Sequence, residues 1–189
     1  MAGVALVRYA RGCAISAATT GNMTHSGAFS AQRPADEVFD LLANPERFAP
    51  LMPDFESMTM VDATHFTLRT VIQMGTISGH ANLAMELRNS VRPVQVGYYG
   101  EATIAGGPLR LNLEFTITAA SDITEVGWQG EVSLGGTLAM MAGNLLETMS
   151  QQNFERMAER LQQSLGNVSM RSQEEPGSSA LPESPDYEI

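Results

Sequence analysis

The sequence predicts an α+β fold: a curved antiparallel sheet of about seven strands wrapped on a long C-terminal helix, with two short helices after the first strand. Three observations carry this. Between Phe55 and Leu134 apolar residues recur with period two, in runs separated by turn residues at intervals of roughly a dozen, the signature of an antiparallel meander. A strand-like run and two helix starts precede the meander. A Pro-free stretch rich in Leu, Met, Gln, Glu and Arg follows it, with the composition of a helix.

Taken in order, His25 to Gln32 gives the first strand. Arg33-Pro34-Ala35-Asp36-Glu37 then starts a helix, because Pro at the first helical position loses no hydrogen bond and the acids favour the positive end of the helix dipole. Val38, Phe39, Leu41 and Leu42 form its buried stripe, and Asn44-Pro45 ends it. A second short helical turn runs through Phe48, before Pro50 and Pro53. Six strands follow near 55–62, 65–74, 76–89, 94–104, 109–119 and 124–134. Their breaks are Asp62-Ala63-Thr64, Gly75, Arg92-Pro93, Gly106-Gly107-Pro108 and Ser121-Asp122, of which Gly106-Gly107-Pro108 is the clearest hairpin turn. After Gly135-Gly136-Thr137 the long helix runs from Leu138 to about Leu165, and Gly166-Asn167 closes it.

One domain, residues 24–165, therefore accounts for most of the 189 residues. Residues 1–23 carry Arg8 and Arg11, which split the apolar stretch into pieces too short for a signal-peptide core; the segment reads as a disordered extension or a misassigned start before Met23. Residues 166–189, rich in Ser, Pro, Glu and Gly, read as an acidic disordered tail.

A hydrophobic fraction of 43% supplies a sizeable core and excludes disorder throughout. The net charge of −10 divides into +2 for residues 1–23, −8 for 24–165 and −4 for 166–189. All 11 basic residues are scattered Arg, which argues against nucleic acid as a partner, since a phosphate backbone demands clustered cations. Cys13, the lone cysteine, lies outside the domain, so neither an internal disulfide nor a thiolate metal cluster is expected, and the default compartment is the cytoplasm. No apolar run approaches the ~20 residues that cross a bilayer, so membrane contact, at its inner face, is expected to be peripheral.

Strand parity locates the chemistry, because alternate side chains face opposite sides of a sheet. Leu109, Leu111, Leu113, Phe115 and Ile117 share one face, against Arg110, Asn112, Glu114 and Thr116 on the other. Ile77, Gly79, Ala81, Leu83, Met85 and Leu87 oppose Ser78, His80, Asn82, Glu86 and Arg88. Val126, Trp128, Val132 and Leu134 oppose Glu125, Gln129 and Glu131, and Arg69 and Glu101 fall on the polar side of their strands. The strand carboxylates, His80 and the strand arginines thus point outward, leaving no titratable group on the concave face for acid–base catalysis. The loop residues Asp54, His65 and Asp122 stay open as groups that lean into a mouth. No nucleophile elbow, metal-binding helix pair or phosphate loop is present, and each of the three His reads as a surface residue. Neither catalytic nor metal residues are assigned.

Nine methionines fall in the domain, and Met74, Met85, Met141 and Met149 lie on apolar faces, as suits a cavity that moulds itself to a flexible apolar molecule. The expected lining is Phe48, Met52, Met74, Met85, Tyr98, Phe115, Trp128, Met141, Leu145 and Met149. The long helix carries a broken stripe. Leu138, Met141, Ala142, Leu145 and Met149 align in its first half; Phe154, Met157, Leu161 and Leu165 align in its second on a stripe rotated by roughly 150°, with Gln152, Asn153 and Arg156 continuing the first. Either the helix twists across a strongly curved sheet, or its second half meets another surface such as a partner subunit.

The element order resembles the START-like, or SRPBCC, superfamily of helix-grip proteins. Phe29 through Pro34-Ala-Asp-Glu-Val-Phe-Asp-Leu-Leu, Asn44-Pro45, Leu51-Met52-Pro53, Gly106-Gly107-Pro108 and Gly135-Gly136-Thr137-Leu138-Ala139 resemble the CoxG family of carbon monoxide dehydrogenase over about residues 25–165. The resemblance implies a carrier or accessory subunit that takes a quinone, isoprenoid or other lipid-like molecule, with no covalent cofactor, and serves a molybdenum hydroxylase of the carbon monoxide dehydrogenase type. Two other readings stand beside it: a START-like aromatase, cyclase or hydratase, which needs a polar residue inside the cavity, and an assembly or recruitment factor that acts through protein contacts.

Overall fold

The computed structural model describes residues 22–166 apart from 75–76, 105–106 and 121–122; for Met74, Ile77 and residues 137–146 it describes the backbone alone. The elements run β1 (Asn22–Ala31), α1 (Ala35–Leu42), α2 (Pro45–Phe48), a 3-10 turn (Ala49–Leu51), β2 (Phe55–Met60), β3 (His65–Met74), β4 (Ile77–Val91), β5 (Gln95–Ile104), β6 (Gly107–Ala120), β7 (Ile123–Leu134) and α3 (Gly136–Ser164). The order matches the sequence reading, with β1 starting three residues earlier and β2 ending two residues sooner. Residues 1–21 and 167–189, read above as an extension and a tail, lie outside the described residues, as does Gly106 of the expected Gly106-Gly107-Pro108 turn, whose other two residues open β6.

All seven strands form one antiparallel sheet in the order β1-β7-β6-β5-β4-β3-β2. Each strand from β2 to β6 hairpins onto the next, and β1 pairs with β7, Phe29 facing Val126 and Ala31 facing Thr124. Register shifts at Phe55/Ser57 in β2 and Leu87/Asn89 in β4 insert extra residues that bend those strands. The bends and the right-handed twist curl the sheet around α3.

Asn44 both ends α1 and starts α2. Its side chain accepts hydrogen bonds from the backbone N–H of Glu46 (2.9 Å) and Arg47 (3.3 Å), while Pro45 occupies the first helical position. The short helices plug one end of the sheet. Phe48 is fully buried, stacked on Tyr98 at 4.5 Å and edge-on to Phe115 at 5.7 Å. The Tyr98 hydroxyl donates to the Leu42 carbonyl at 2.6 Å, which satisfies one of the orphan acceptors at the end of α1. Burial pushes the Tyr98 phenol well above its ordinary value.

The second half of α3 packs on its own sheet. Phe154, Met157, Leu161 and Leu165 are all buried in the main core, so the rotated stripe comes from curvature rather than a partner surface. Gly27 and Gly130 make this possible. A Cβ at Gly27 would lie 2.8 Å from the Trp128 ring, and one at Gly130 would lie 2.2 Å from a carbon of the Phe154 ring. With those Cβ atoms absent, Trp128 and Phe154 stack at 5.7 Å between β7 and the helix.

Candidate functional site

The α1–α2 plug fills the sheet at Val96, Tyr98 and Phe115, and leaves the other end of the concave face open beneath α3. There a cavity of about 450 Å³ lies between the helix and the sheet. Leu68 and Ile72 of β3, Leu83 of β4, Ile104 of β5, Leu109 and Leu111 of β6, and Val132 and Leu134 of β7 supply its floor. Parity is the reason these side chains converge: each sits on the apolar side of its strand, and cross-strand partners such as Leu111 and Val132 lie side by side. Met149, Phe154 and Met157 of α3 form the roof.

Polar groups gather at one edge, where Met52, Pro53 and Asp54 meet α3. Asp54, in the left-handed backbone region with φ 54°, turns its carboxylate toward the helix. Arg156 donates to both its oxygens, Nη1 to Oδ1 at 3.1 Å and Nη2 to Oδ2 at 3.0 Å. The Arg156 guanidinium also donates to Asn153 Oδ1, and Arg160 donates to the Met52 carbonyl at 2.8 Å. Two arginines one helical turn apart thus pin the 52–54 segment across the cavity edge. This accounts for Gln152, Asn153 and Arg156 continuing the first apolar stripe of α3: they border the cavity where it meets solvent.

Of the residues expected to line the cavity, Met52 and Met149 do so. Phe48, Met85, Tyr98, Phe115 and Trp128 are packed core instead, because the α1–α2 plug and the Trp128–Phe154 stack occupy the space in front of them. Gly100 belongs to the same arrangement: a Cβ there would meet the Met85 sulfur at 2.5 Å, so the glycine lets Met85 lie across β5. The side chains of Met74, Met141 and Leu145 lie outside the described residues. Among the open loop groups, Asp54 reaches the cavity, His65 pairs with Asp62 in the β2–β3 turn at the opposite end of the sheet, and Asp122 lies outside the described residues.

His25 corrects the sequence reading. It lies on β1 opposite Gly130 and shares a face with Phe29, whose partner Val126 points inward. The ring is therefore on the concave side, 5.7 Å from the Phe154 ring and with Nε2 2.7 Å from the Ser150 Oγ of α3. Ser150 is 7% exposed and lines the cavity. Parity was legible for β1 as well, but Thr24, Ser26 and Gly27 blur the alternation that made the other strands plain. His80 does lie outside, paired with Glu56 at 2.8 Å.

Among the described residues no three His, Cys, Asp or Glu side chains come close enough to hold a metal ion, and no helix is long and apolar enough to cross a membrane.

A single curved sheet gripping a C-terminal helix over an apolar cavity defines the START-like helix-grip class. Solved structures share it: a conserved protein from Geobacillus kaustophilus (TM-score 0.66, 12% identity, covering 76% of this chain and 95% of that one) and a START superfamily protein from Mycobacterium smegmatis (0.56, 10%, 75% and 96%). The Zhui aromatase/cyclase from Streptomyces sp. R1128 is similar as well (0.58, 14%, 76% and 93%). At these identities the likeness concerns the fold. No curated protein gives a significant match. The family model for the G subunit of carbon monoxide dehydrogenase (CoxG) matches residues 27–166, and the chain belongs to that family.

Proposed function

We propose that this protein binds an apolar small molecule, of quinone or isoprenoid-lipid type, and acts as carrier or accessory subunit for a molybdenum hydroxylase of the carbon monoxide dehydrogenase type. The observation that carries the binding half is the cavity itself: about 450 Å³ of space walled by Leu, Ile, Val and Met on a face where close packing is the norm. Family membership supports the accessory half. Protein purified without detergent and examined by native mass spectrometry and solvent extraction should carry an apolar molecule, and Val132→Trp, which fills the cavity, should exclude it. Absence of any retained or added apolar ligand in the wild-type protein refutes the binding role. Failure to co-purify with the hydroxylase subunits, with ligand binding intact, refutes the accessory role alone.

A catalytic reading draws on the inward His25–Ser150 pair and on the likeness to an aromatase/cyclase fold. Turnover of a polyketide-like substrate that His25→Phe abolishes would favour it over the carrier role.

A further inference from the structure

Within the described residues, Ser150 is the one buried polar side chain that borders the cavity; the other buried one, Thr124, donates to the Arg33 carbonyl at the far end of β7. A hydroxyl placed among Met149, Phe154, Val132 and Leu134 costs stability unless it is hydrogen-bonded. Its arrangement satisfies it and also leaves it able to act. His25 Nε2 lies 2.7 Å from Oγ, and the hydroxyl hydrogen reaches the Glu147 carbonyl at 2.9 Å. That carbonyl lies within α3, where the backbone N–H four residues on is its normal helical partner. The Ser150 hydrogen therefore turns away from Glu147 without orphaning an acceptor. In the tautomer that carries its hydrogen on Nε2, His25 donates to Oγ, and the hydroxyl, whose own hydrogen is shared between the Glu147 carbonyl and the Met23 sulfur, is polarised toward giving that hydrogen to something in the cavity.

We propose that the cavity selects an apolar molecule bearing a carbonyl oxygen, which Ser150 recognises by donating its hydroxyl hydrogen, and that His25 is the positioning residue that holds Ser150 in that role. The inference rests on the reading of the cavity as an apolar binding site and adds to it a polar criterion for the occupant. The layout favours it over a purely structural pair: β1, at the edge of the sheet, packs directly against α3, so the imidazole meets the helix from outside, and only the serine end of the pair borders the cavity.

The test uses two probes that differ by one group, octanophenone and octylbenzene, each competing against fluorescent N-phenyl-1-naphthylamine on the full chain. The ratio of their affinities, compared between variants, cancels their unequal solubility in water. Ser150→Ala is expected to lower the octanophenone-to-octylbenzene affinity ratio roughly threefold to tenfold, the worth of one neutral hydrogen bond. His25→Phe should lower it in the same direction, whereas His25→Gln, which keeps an N–H donor near the same place, should restore it. A merely structural role for His25 would not move this ratio. Should Ser150→Ala not fold, Ser150→Cys, similar in volume and a weak donor, carries the same expectation. An unchanged ratio, with both probes still bound, overturns the carbonyl criterion and leaves the apolar site standing. Failure of all three probes to bind wild-type protein overturns both.

Discussion

Arg156 of α3 grips Asp54 with both ends of its guanidinium, at 3.1 and 3.0 Å, and so ties the helix to the segment before β2 directly over the cavity edge. The pair joins residues 102 positions apart in the chain. Side chains 46% and 39% exposed gain little net stability from such a bond, about 0 to 1 kcal/mol, so its consequence lies in access rather than in folding.

Asp54→Asn tests this. Asn tolerates the left-handed backbone at this position, so the backbone is kept while the charge and one of the two oxygens that Arg156 grips are lost. Thermal stability should hardly change, while N-phenyl-1-naphthylamine should leave the cavity severalfold faster in stopped-flow fluorescence. An identical release rate would show that ligands do not pass this edge.

Tyr98→Phe should cost about 1–3 kcal/mol in denaturant unfolding, since it strands the Leu42 carbonyl in a buried place. The same phenol sets an alkaline limit. Its folded value is raised, so its contribution is complete below the ordinary value near 10 and declines as pH rises beyond it. Wild type should therefore lose stability in that range more steeply than Tyr98→Phe; parallel curves would count against the buried phenol.

Gly130→Ala places a methyl where the Phe154 ring lies, forcing the ring from its stack on Trp128. Overpacking of this kind costs typically about 1–3 kcal/mol. Trp128 fluorescence reports it directly: the emission should shift as the stack opens, and a variant with wild-type emission and stability would contradict the packing described.

Acid should destabilise the fold through carboxylates on its outer surface. Hydrogen bonds from the backbone N–H groups of Thr64 and His65 hold Asp62 well below the usual range, while Arg92 lowers Asp40, Arg69 lowers Glu56 and the Tyr99 hydroxyl lowers Glu101. Groups depressed in the folded state stabilise it above their ordinary values, near 4, and that stabilisation is lost as pH falls through the folded values. Melting temperature should be level from neutral pH to about pH 5 and fall below it, less so in Asp62→Asn. A melting temperature independent of pH in acid would dismiss these pairs as contributors.

The strands and helices were legible because their residues obey local rules: β6 alternates leucines with Arg110, Asn112 and Glu114, and Asn44-Pro45 carries a helix stop and start in two residues. The cavity floor followed from the same alternation. Its extent did not, because an inward side chain is either lining or core according to what stands in front of it, and the α1–α2 plug that buries Phe48, Tyr98 and Phe115 is a tertiary fact. Asp54 and Arg156 were visible only as a loop acid and a break in a stripe. Their meeting depends on the curl of the whole sheet. His25 was within reach of the parity rule, and its small and polar neighbours on β1 concealed it.

The place of β1 in the sheet bears on how the protein is made. Among the described residues its sole strand partner is β7, and Asn22 reaches Glu131 across 109 positions of chain. On a ribosome the first strand emerges early and waits through the synthesis of the whole meander before its edge can pair. Contacts of such long range make folding slow relative to a helical protein of equal length. A nascent chain stopped before β7 would hold an unpaired strand beside a half-built sheet, the kind of exposed edge on which chaperones act and aggregates grow.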